Sequence, residues 1–263
     1  MTLVNAALEA LGTSDARAKA MRSRELATEW FSGRIAEIGS APIPERPARP
    51  EAPILMPPAD VPKRKITRGL PGRIALLHAL SHIELNAIDL AWDIAARFTH
   101  EKLPREFYDD WVKVADDEAR HFLMLDDILR EMGSHYGALP AHDGLWEAAM
   151  KTADDLFGRL AIVPLVLEAR GLDVTPAMIE KLKKAEDETS AAALQVIHDD
   201  EITHVAAGKR WFEYLCQRDG LPEIETWQNL VQTLFRGILK RPFNVVSRER
   251  AGFSAAFYDP IAS

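Results

Sequence analysis

The chain has 263 residues, of which 47% are hydrophobic and 27% are charged, and its formal net charge is −8. This length allows one large domain or a domain with extensions. The acidic balance argues against a general nucleic-acid binder, which would need a basic face. Cys216 is the one cysteine, so a disulfide within the chain is excluded and a thiolate metal site is not expected. The absence of an N-terminal leader pattern and of an apolar run of about 18 residues predicts a cytoplasmic protein with no membrane segment.

Residues 1–38 predict an N-terminal extension of two short helices, with an N-cap cluster at Thr13-Ser14-Asp15 before the second. Residues 39–70 then hold eight of the 16 prolines, and such a segment cannot be helical. We expect it to lie across the protein as an extended, Pro-rich strap. Its expected anchors are apolar side chains, namely Ile43, Ile54, Leu55 and Met56.

Residues 71–220 show the apolar period of four long helices. The second helix is expected to end near Met132, with Gly133 just past it, and the fourth near Cys216. The connection between the first two is short, so they should be antiparallel neighbours. The chain is therefore predicted to be all-α, a four-helix bundle with extra N- and C-terminal segments. The expected helix starts are Pro71, Pro104, Asp154 or Asp155, and Asp187.

Several interruptions are expected around these helices. Pro164 predicts a kink one turn before Glu168. Residues 172–186 predict a separate short helix, opened by Thr175 and Pro176. Residues 221–263 are expected to pack on the bundle, as a helix over about 223–239 followed by an irregular tail from Arg241.

One six-residue pattern occurs twice in the helical region. Asp116-Asp117-Glu118-Ala119-Arg120-His121 is matched by Asp199-Asp200-Glu201-Ile202-Thr203-His204, and in each copy a Glu and a His three apart share a helix face. Glu84 lies 34 residues before Glu118, and Glu168 lies 33 residues before Glu201. Four Glu and two His on four helices is the ligand set of di-iron and di-manganese carboxylate bundles. The predicted metal ligands are Glu84, Glu118, His121, Glu168, Glu201 and His204.

These ligands suit a pair of divalent ions. Four carboxylates would nearly neutralise two such ions, and burying them together without metal would be very unfavourable. A buried metal-binding His usually gives its second ring N–H to a carboxylate, so Asp117 and Asp200 are the candidates for orienting the ligands. The expected roles are bridging for Glu118 and Glu201, terminal for Glu84 and Glu168, and one ion each for His121 and His204.

Nearby polar residues keep two interpretations each. His198 is either a third nitrogen ligand or a satisfied histidine, and His78 and His82 are either supports of the ligands or ordinary surface or core histidines. Arg120 and Arg170 either hold an acid beside the site or form surface ion pairs. No catalytic side chain is assigned.

Asp117-Glu118-Ala119-Arg120-His121 resembles the D-E-x-R-H motif of bacterial multicomponent monooxygenases, which belong to the ferritin-like di-iron superfamily. The second copy departs from that motif, with Thr203 in place of Arg. The chain also looks like a bacterial ferritin-like family of unknown function and, more distantly, like the tRNA-hydroxylating di-iron monooxygenases. The resemblance implies a ferritin-like bundle over residues 71–220, and iron in preference to manganese or a mixed Mn/Fe pair. The stretches that carry it are His82 to Ile88, Asp117 to Phe122, Glu168 to Asp173, Asp200 to Val205, Arg241 to Asn244 and Arg250 to Phe253.

The leading hypothesis is therefore an O2-activating di-iron oxidase or hydroxylase of unknown substrate, which would also need an electron donor. Two alternatives stay open, a ferroxidase or other iron-handling protein and a metal-free structural or binding protein of the same fold. The strap and the tail argue against a plain cage subunit, so a monomer or dimer is expected. RNA is a weak alternative substrate, because the basic cluster is short in an acidic chain. That cluster comprises Arg236, Lys240, Arg241, Arg248 and Arg250.

Overall fold

A computed structural model describes residues 1–61 and 69–263, and this described part contains helices but no β-strand. The predicted all-α class is confirmed. The chain forms two compact units, the first from Met1–Glu147 with Lys181–Ala193 and the second from Ala148–Glu180 with Leu194–Ser263. The division passes through the predicted 71–220 bundle, and each unit is described by itself.

Unit 1 is built on two long helices and two short ones. Asp15 caps the second short helix by accepting a 2.7 Å hydrogen bond from the Ala18 N–H, as the N-cap cluster predicts. A connection with a 3-10 turn at Thr99–Glu101 joins the two long helices, which pack against each other. The four helices are α1 (Leu3–Gly12), α2 (Ala16–Phe31), α3 (Leu70–Arg97) and α4 (Arg105–Glu131).

Helix α3 lies at the centre of unit 1. Among the described residues it alone is long and apolar enough to cross a membrane by length and composition, but most of its apolar stretch is buried inside the protein. A core helix has the same composition. One face of α3 also buries polar side chains at helical spacing, namely His78, His82, Asn86, Asp89 and Asp93.

The strap covers part of this polar face. Its residues 39–61 are described, whereas 62–68 lie outside the described residues. Three of the four expected apolar anchors are wrong, because Ile54, Leu55 and Met56 are 68%, 44% and 37% exposed, whereas Ile43 is half-buried. Two prolines of the strap, Pro47 and Pro53, are buried, and polar contacts hold it as well, since Arg49 donates a 2.7 Å hydrogen bond to Asn86 Oδ1 and the Ala48 carbonyl accepts one from Lys19. A strap rich in proline keeps backbone carbonyls free to accept such bonds.

Unit 2 contains one long helix and several shorter ones. Residues 134–153 include α5 (Gly144–Met150), which straddles the boundary between the units. The following segment begins where Asp155 caps α6, as expected. The elements are α6 (Leu156–Ile162), a π-helix (Val163–Glu168), α7 (Ala169–Lys183), α8 (Glu188–Asp219), α9 (Glu223–Leu234), α10 (Val245–Arg250) and α11 (Ala255–Tyr258).

Three predictions about unit 2 are wrong. Residues 172–186 do not hold a separate helix, because α7 runs on through Pro176 to Lys183. The buried side chains of Leu172, Ile179 and Leu182 form one continuous apolar stripe, which outweighs the proline. The last predicted helix ends at Leu234 rather than near residue 239. The tail is not irregular, since it forms α10 and α11.

Candidate metal centre

Unit 1 brings three of the predicted ligands together. Glu84 lies midway along α3, and Glu118 and His121 lie on one face of α4. All three side chains are at most 3% exposed. His121 Nδ1 lies 3.3 Å from Glu84 Oε2 and 3.3 Å from Glu118 Oε2, and the candidate ligand atoms of the three lie within 4.8 Å of one another. The packing of two regular helices thus assembles half of the predicted ligand set.

The electrostatics of this half-site are unfavourable without a cation. Burial raises the pKa of Glu84 to about 8, and the neighbouring Glu118 carboxylate acts in the same direction. The contact with His121 lowers the pKa of Glu84 but does not cancel the rise. A metal-free cluster therefore retains a proton at neutral pH, and a divalent cation would displace it.

The donor set of this half-site fits a transition metal. It offers two carboxylates and one imidazole and no thiolate, a combination that suits iron or manganese better than a structural zinc ion. Each of these helices supplies its ligands from a buried face, so few rotamers are open to them. The residues present therefore fit a metal ion.

Unit 2 carries the other three predicted ligands. Glu201 and His204 lie one turn apart on α8, with His204 Nδ1 3.8 Å from Glu201 Oε2. The His204 side chain is 1% exposed and the Glu201 side chain 13% exposed. Glu168 is half-buried and ends the π-helix. The second copy of the motif is thus more open at its carboxylates than the first.

The π-helix confirms the predicted irregularity before Glu168. Pro164 lies at its start and has no N–H to donate to the preceding turn. The ladder of hydrogen bonds is resumed in the wider π register, and α7 follows directly at Ala169. Such π turns are often found at functional sites in helices. Here the irregularity delivers a predicted ligand at its last residue.

The two Asp residues expected to orient the ligands differ in their surroundings. Asp117 is 3% exposed and forms ion pairs with Lys113 at 2.5 Å and with Arg120 at 3.3 Å, all on α4. Arg120 therefore holds an acid beside the site, one of its two interpretations. Asp200 is half-buried, and its backbone carbonyl accepts a 2.7 Å hydrogen bond from the Thr203 hydroxyl. The two motif copies thus differ at this position, because Arg120 pairs with the side chain of Asp117 whereas Thr203 bonds to the backbone carbonyl of Asp200.

The described contacts of the nearby histidines lead away from the predicted ligands. His198 Nε2 lies 3.4 Å from the Ser247 hydroxyl on α10. His78 Nε2 accepts a 2.9 Å hydrogen bond from the Gly137 N–H, and His82 is 2.9 Å from both the Tyr136 hydroxyl and the His142 carbonyl. These contacts match the interpretation of His78 and His82 as satisfied core histidines.

Two buried, ion-paired aspartates were not anticipated from the sequence. In unit 1, Asp89 is 2.5 Å from Lys19 and 3.1 Å from Arg49. In unit 2, Asp173 accepts 2.9 and 2.8 Å hydrogen bonds from Arg248, and both side chains are at most 4% exposed. Asp89 stands five residues after Glu84, and Asp173 five residues after Glu168. This common spacing is the signal that could have revealed them.

Comparison with known proteins gives a family without an assigned function. The family model described as "Protein of unknown function (DUF455)" matches residues 12–259. An uncharacterized protein of Haemophilus influenzae is 42% identical over 212 residues, which is 79% of this chain and 73% of that protein. No solved structure gives a significant match.

Proposed function

The chain belongs to the family described as protein of unknown function (DUF455), and from its candidate site we propose that it is a di-iron carboxylate oxidoreductase, an O2-activating oxygenase or hydroxylase. The observation that carries the proposal is the joint burial of Glu84, Glu118 and His121. Apolar side chains would fill the same space without the penalty of burying two carboxylates. A bound cation removes that penalty.

The proposal extends to both halves of the repeated motif. Glu168, Glu201 and His204 are placed in the second half because they repeat the residue types and spacing of the first. Four carboxylates then balance two divalent ions. The ferritin-like arrangement of residues 71–220 is part of the same proposal and follows from the ligand set.

In this proposal the protein holds the ions among buried apolar side chains that exclude water. Leu85, Ile88 and Phe122 accompany the ligands on α3 and α4, and each is at most 1% exposed. A site without water strengthens the electrostatic interactions inside it. When bound, a reduced iron pair supplies electrons to O2, and turnover would need a substrate and an external electron donor.

RNA is not the substrate that we favour. Two of the five basic residues near the C-terminus are paired with acids, since Arg248 binds Asp173 and Arg241 lies 2.6 Å from Asp259. These pairs reduce the positive charge that a phosphate backbone could use.

The proposal is tested by metal content and oxygen chemistry. Protein purified without chelator is analysed for metals, and we expect iron at two ions per chain. The metal-free protein is then loaded anaerobically with Fe(II) and mixed with O2 while absorbance and O2 uptake are recorded. We expect a transient visible absorbance that neither iron in buffer nor the loaded Glu118→Ala variant shows. O2 uptake equal to that of iron in buffer, with no transient, would sink the proposal.

The same experiment separates oxygenase from iron-handling activity. A ferroxidase would keep consuming Fe(II) well beyond two ions per chain, and a storage protein would retain the oxidised iron in a large assembly. We expect uptake to stop at two ions per chain in the absence of substrate and reductant. Size-exclusion chromatography of the loaded protein checks the assembly.

A further inference from the structure

Gly208 is a glycine in an unexpected place. It lies in the interior of α8 and is buried, although alanine favours a helix more than glycine does. Its position follows Glu201 by seven residues and His204 by four. Those spacings place Gly208 on the helix face that carries the two predicted ligands.

The missing side chain of Gly208 makes room for Pro164. A Cβ atom at Gly208 would lie 2.4 Å from the Pro164 Cβ and 2.6 Å from its Cγ. Proline is a rigid ring fused to the backbone, so it cannot turn aside as a long side chain could. Gly171 is a useful contrast, because a Cβ there would meet nothing within 4 Å.

Pro164 is the second residue of the π-helix that ends at Glu168. The contact between Pro164 and Gly208 therefore lies about one turn from a predicted ligand on each helix, four residues before Glu168 and four after His204. Any shift of Pro164 away from α8 moves the backbone that carries Glu168. The close approach of the two backbones sets the distance between these helices at the level of the ligands.

We propose that Gly208 is a positioning residue for the second half of the metal centre: by admitting Pro164 against α8, it fixes where Glu168 stands relative to His204. This inference rests on the proposed function, because it concerns the ligands of the same two ions. Gly208 itself contacts no ion. Its effect passes through the Pro164 ring and the π-helix.

The test uses Co(II) as a spectroscopic probe of the full-length, metal-free protein. We expect the wild type to bind two Co(II) ions per chain. Gly208→Ala should bind one ion as the wild type does and the other at least about tenfold more weakly, as seen when groups supporting metal ligands are changed. The visible d–d bands of the weakened ion should change as well, while the far-ultraviolet circular dichroism stays helical. Gly171→Ala, the matched control in α7, should bind both ions normally.

A second pair of variants guards against simple misfolding. Pro164→Gly removes both the Cβ and the Cγ atoms that a residue at 208 would meet. In that background Gly208→Ala should no longer lower the affinity for the second ion. An equal loss with and without Pro164 would overturn the inference, as would a Gly208→Ala protein that melts earlier yet binds both ions with unchanged bands. A wild type that binds no Co(II) would instead defeat the proposed function, and this inference with it.

Discussion

The two halves of the repeated motif share their residue types but not their support. In unit 1 the predicted ligands lie on two regular α-helices, and His121 is 3.3 Å from both carboxylates. In unit 2 a π-helix carries Glu168, and His204 lies 3.8 Å from Glu201. The first half is buried throughout, whereas the second leaves its carboxylates partly open. The same pattern of predicted ligands thus lies on regular packed helices in unit 1 and includes a residue of an interrupted helix in unit 2.

Each unit also contains a buried aspartate that is ion-paired with a cation from a distant segment of the chain. We call the pairs of Asp89 the strap clamp and those of Asp173 the tail clamp. Asp89 is ion-paired with Arg49 of the strap and with Lys19 of α2, and Asp173 is ion-paired with Arg248 of the tail. The strap clamp has two cations, so Asp89 keeps a partner if one is removed. Asp173 also has two cations: Arg248 forms a bidentate pair and is surrounded by the rings of Phe243, Phe253 and Tyr258, whereas Arg170, whose side chain is 40% exposed, lies 3.3 Å away. The clamps are therefore alike in position but unequal in the burial of their second cation, because Lys19 beside Asp89 is buried and Arg170 beside Asp173 is not.

Removal of a ligand should have the largest effect. Glu118→Ala takes away a carboxylate at the centre of the buried half-site, and we expect metal affinity to fall at least about 100-fold. Mutation of a residue that only supports a metal ligand already lowers affinity by up to about 100-fold, and loss of a ligand should cost at least as much. Glu201→Ala should cause a comparable loss if the two halves serve one pair of ions. Glu106→Ala, an exposed residue of α4, is the control and should bind as the wild type does. Isothermal titration with Fe(II) or Mn(II) measures all three. Unchanged affinity in Glu118→Ala would contradict the assignment.

The unequal clamps predict unequal losses of stability. Arg248→Ala leaves the buried Asp173 with only the largely exposed Arg170 as a cation, and the free energy of unfolding should fall by about 2 kcal/mol. Arg49→Ala should destabilise less, by about 1 kcal/mol, because Lys19 still pairs with Asp89. Arg250→Ala, an exposed change on the same helix as Arg248, should be neutral. Urea denaturation of the metal-free proteins gives the values. Equal losses at Arg49 and Arg248 would show that the burial of the remaining cation is not what separates the clamps.

The raised pKa of Glu84 predicts a pH dependence of the metal-free protein. Because the folded-state pKa, about 8, lies above the ordinary value of 4.5, the folded state binds more protons between these limits. The contribution of Glu84 to stability should therefore be greatest below about pH 4.5 and fall as the pH rises towards 8, by at most about 1.4 kcal/mol per pH unit.

Glu84→Gln is the variant that isolates this effect. Since it cannot ionise, its stability should change less between pH 5 and pH 8 than that of the wild type. Glu106→Gln should keep the wild-type slope. Melting temperatures across this range in the presence of chelator provide the measurement, and an identical slope in wild type and Glu84→Gln would refute the assignment.

The smallest expected effects concern the position that differs between the two motif copies. Arg120→Ala removes one partner of the buried Asp117 and should lower stability by about 0.5 kcal/mol, since Lys113 remains. Thr203→Ala removes a bond to a carbonyl of its own helix turn and should change stability by less than about 0.5 kcal/mol. Metal titration of both variants shows whether the difference extends to the ions. A larger effect at Thr203 than at Arg120 would reverse the comparison.

Local patterns were enough to predict most of the helices. The apolar period, the Asp15 and Asp155 caps and the glycine after α4 act within a few residues, so they can be recognised without the fold. The errors arose where a distant contact decided the outcome. Pro176 stays inside α7 because of the buried stripe around it, and the strap bonds to α3 through Arg49 while Ile54, Leu55 and Met56 stay exposed.

The sequence by itself determined the class of the fold and the choice of candidate ligands, because helix periodicity and the spacing of Glu and His are properties of neighbouring residues. Only the tertiary structure decided that Glu84 meets Glu118 and His121, that Asp89 and Asp173 clamp the terminal segments, and that Gly208 admits Pro164. Each of those contacts joins residues more than 30 positions apart in the chain. Their formation depends on how whole helices pack, and no short stretch of sequence contains that information.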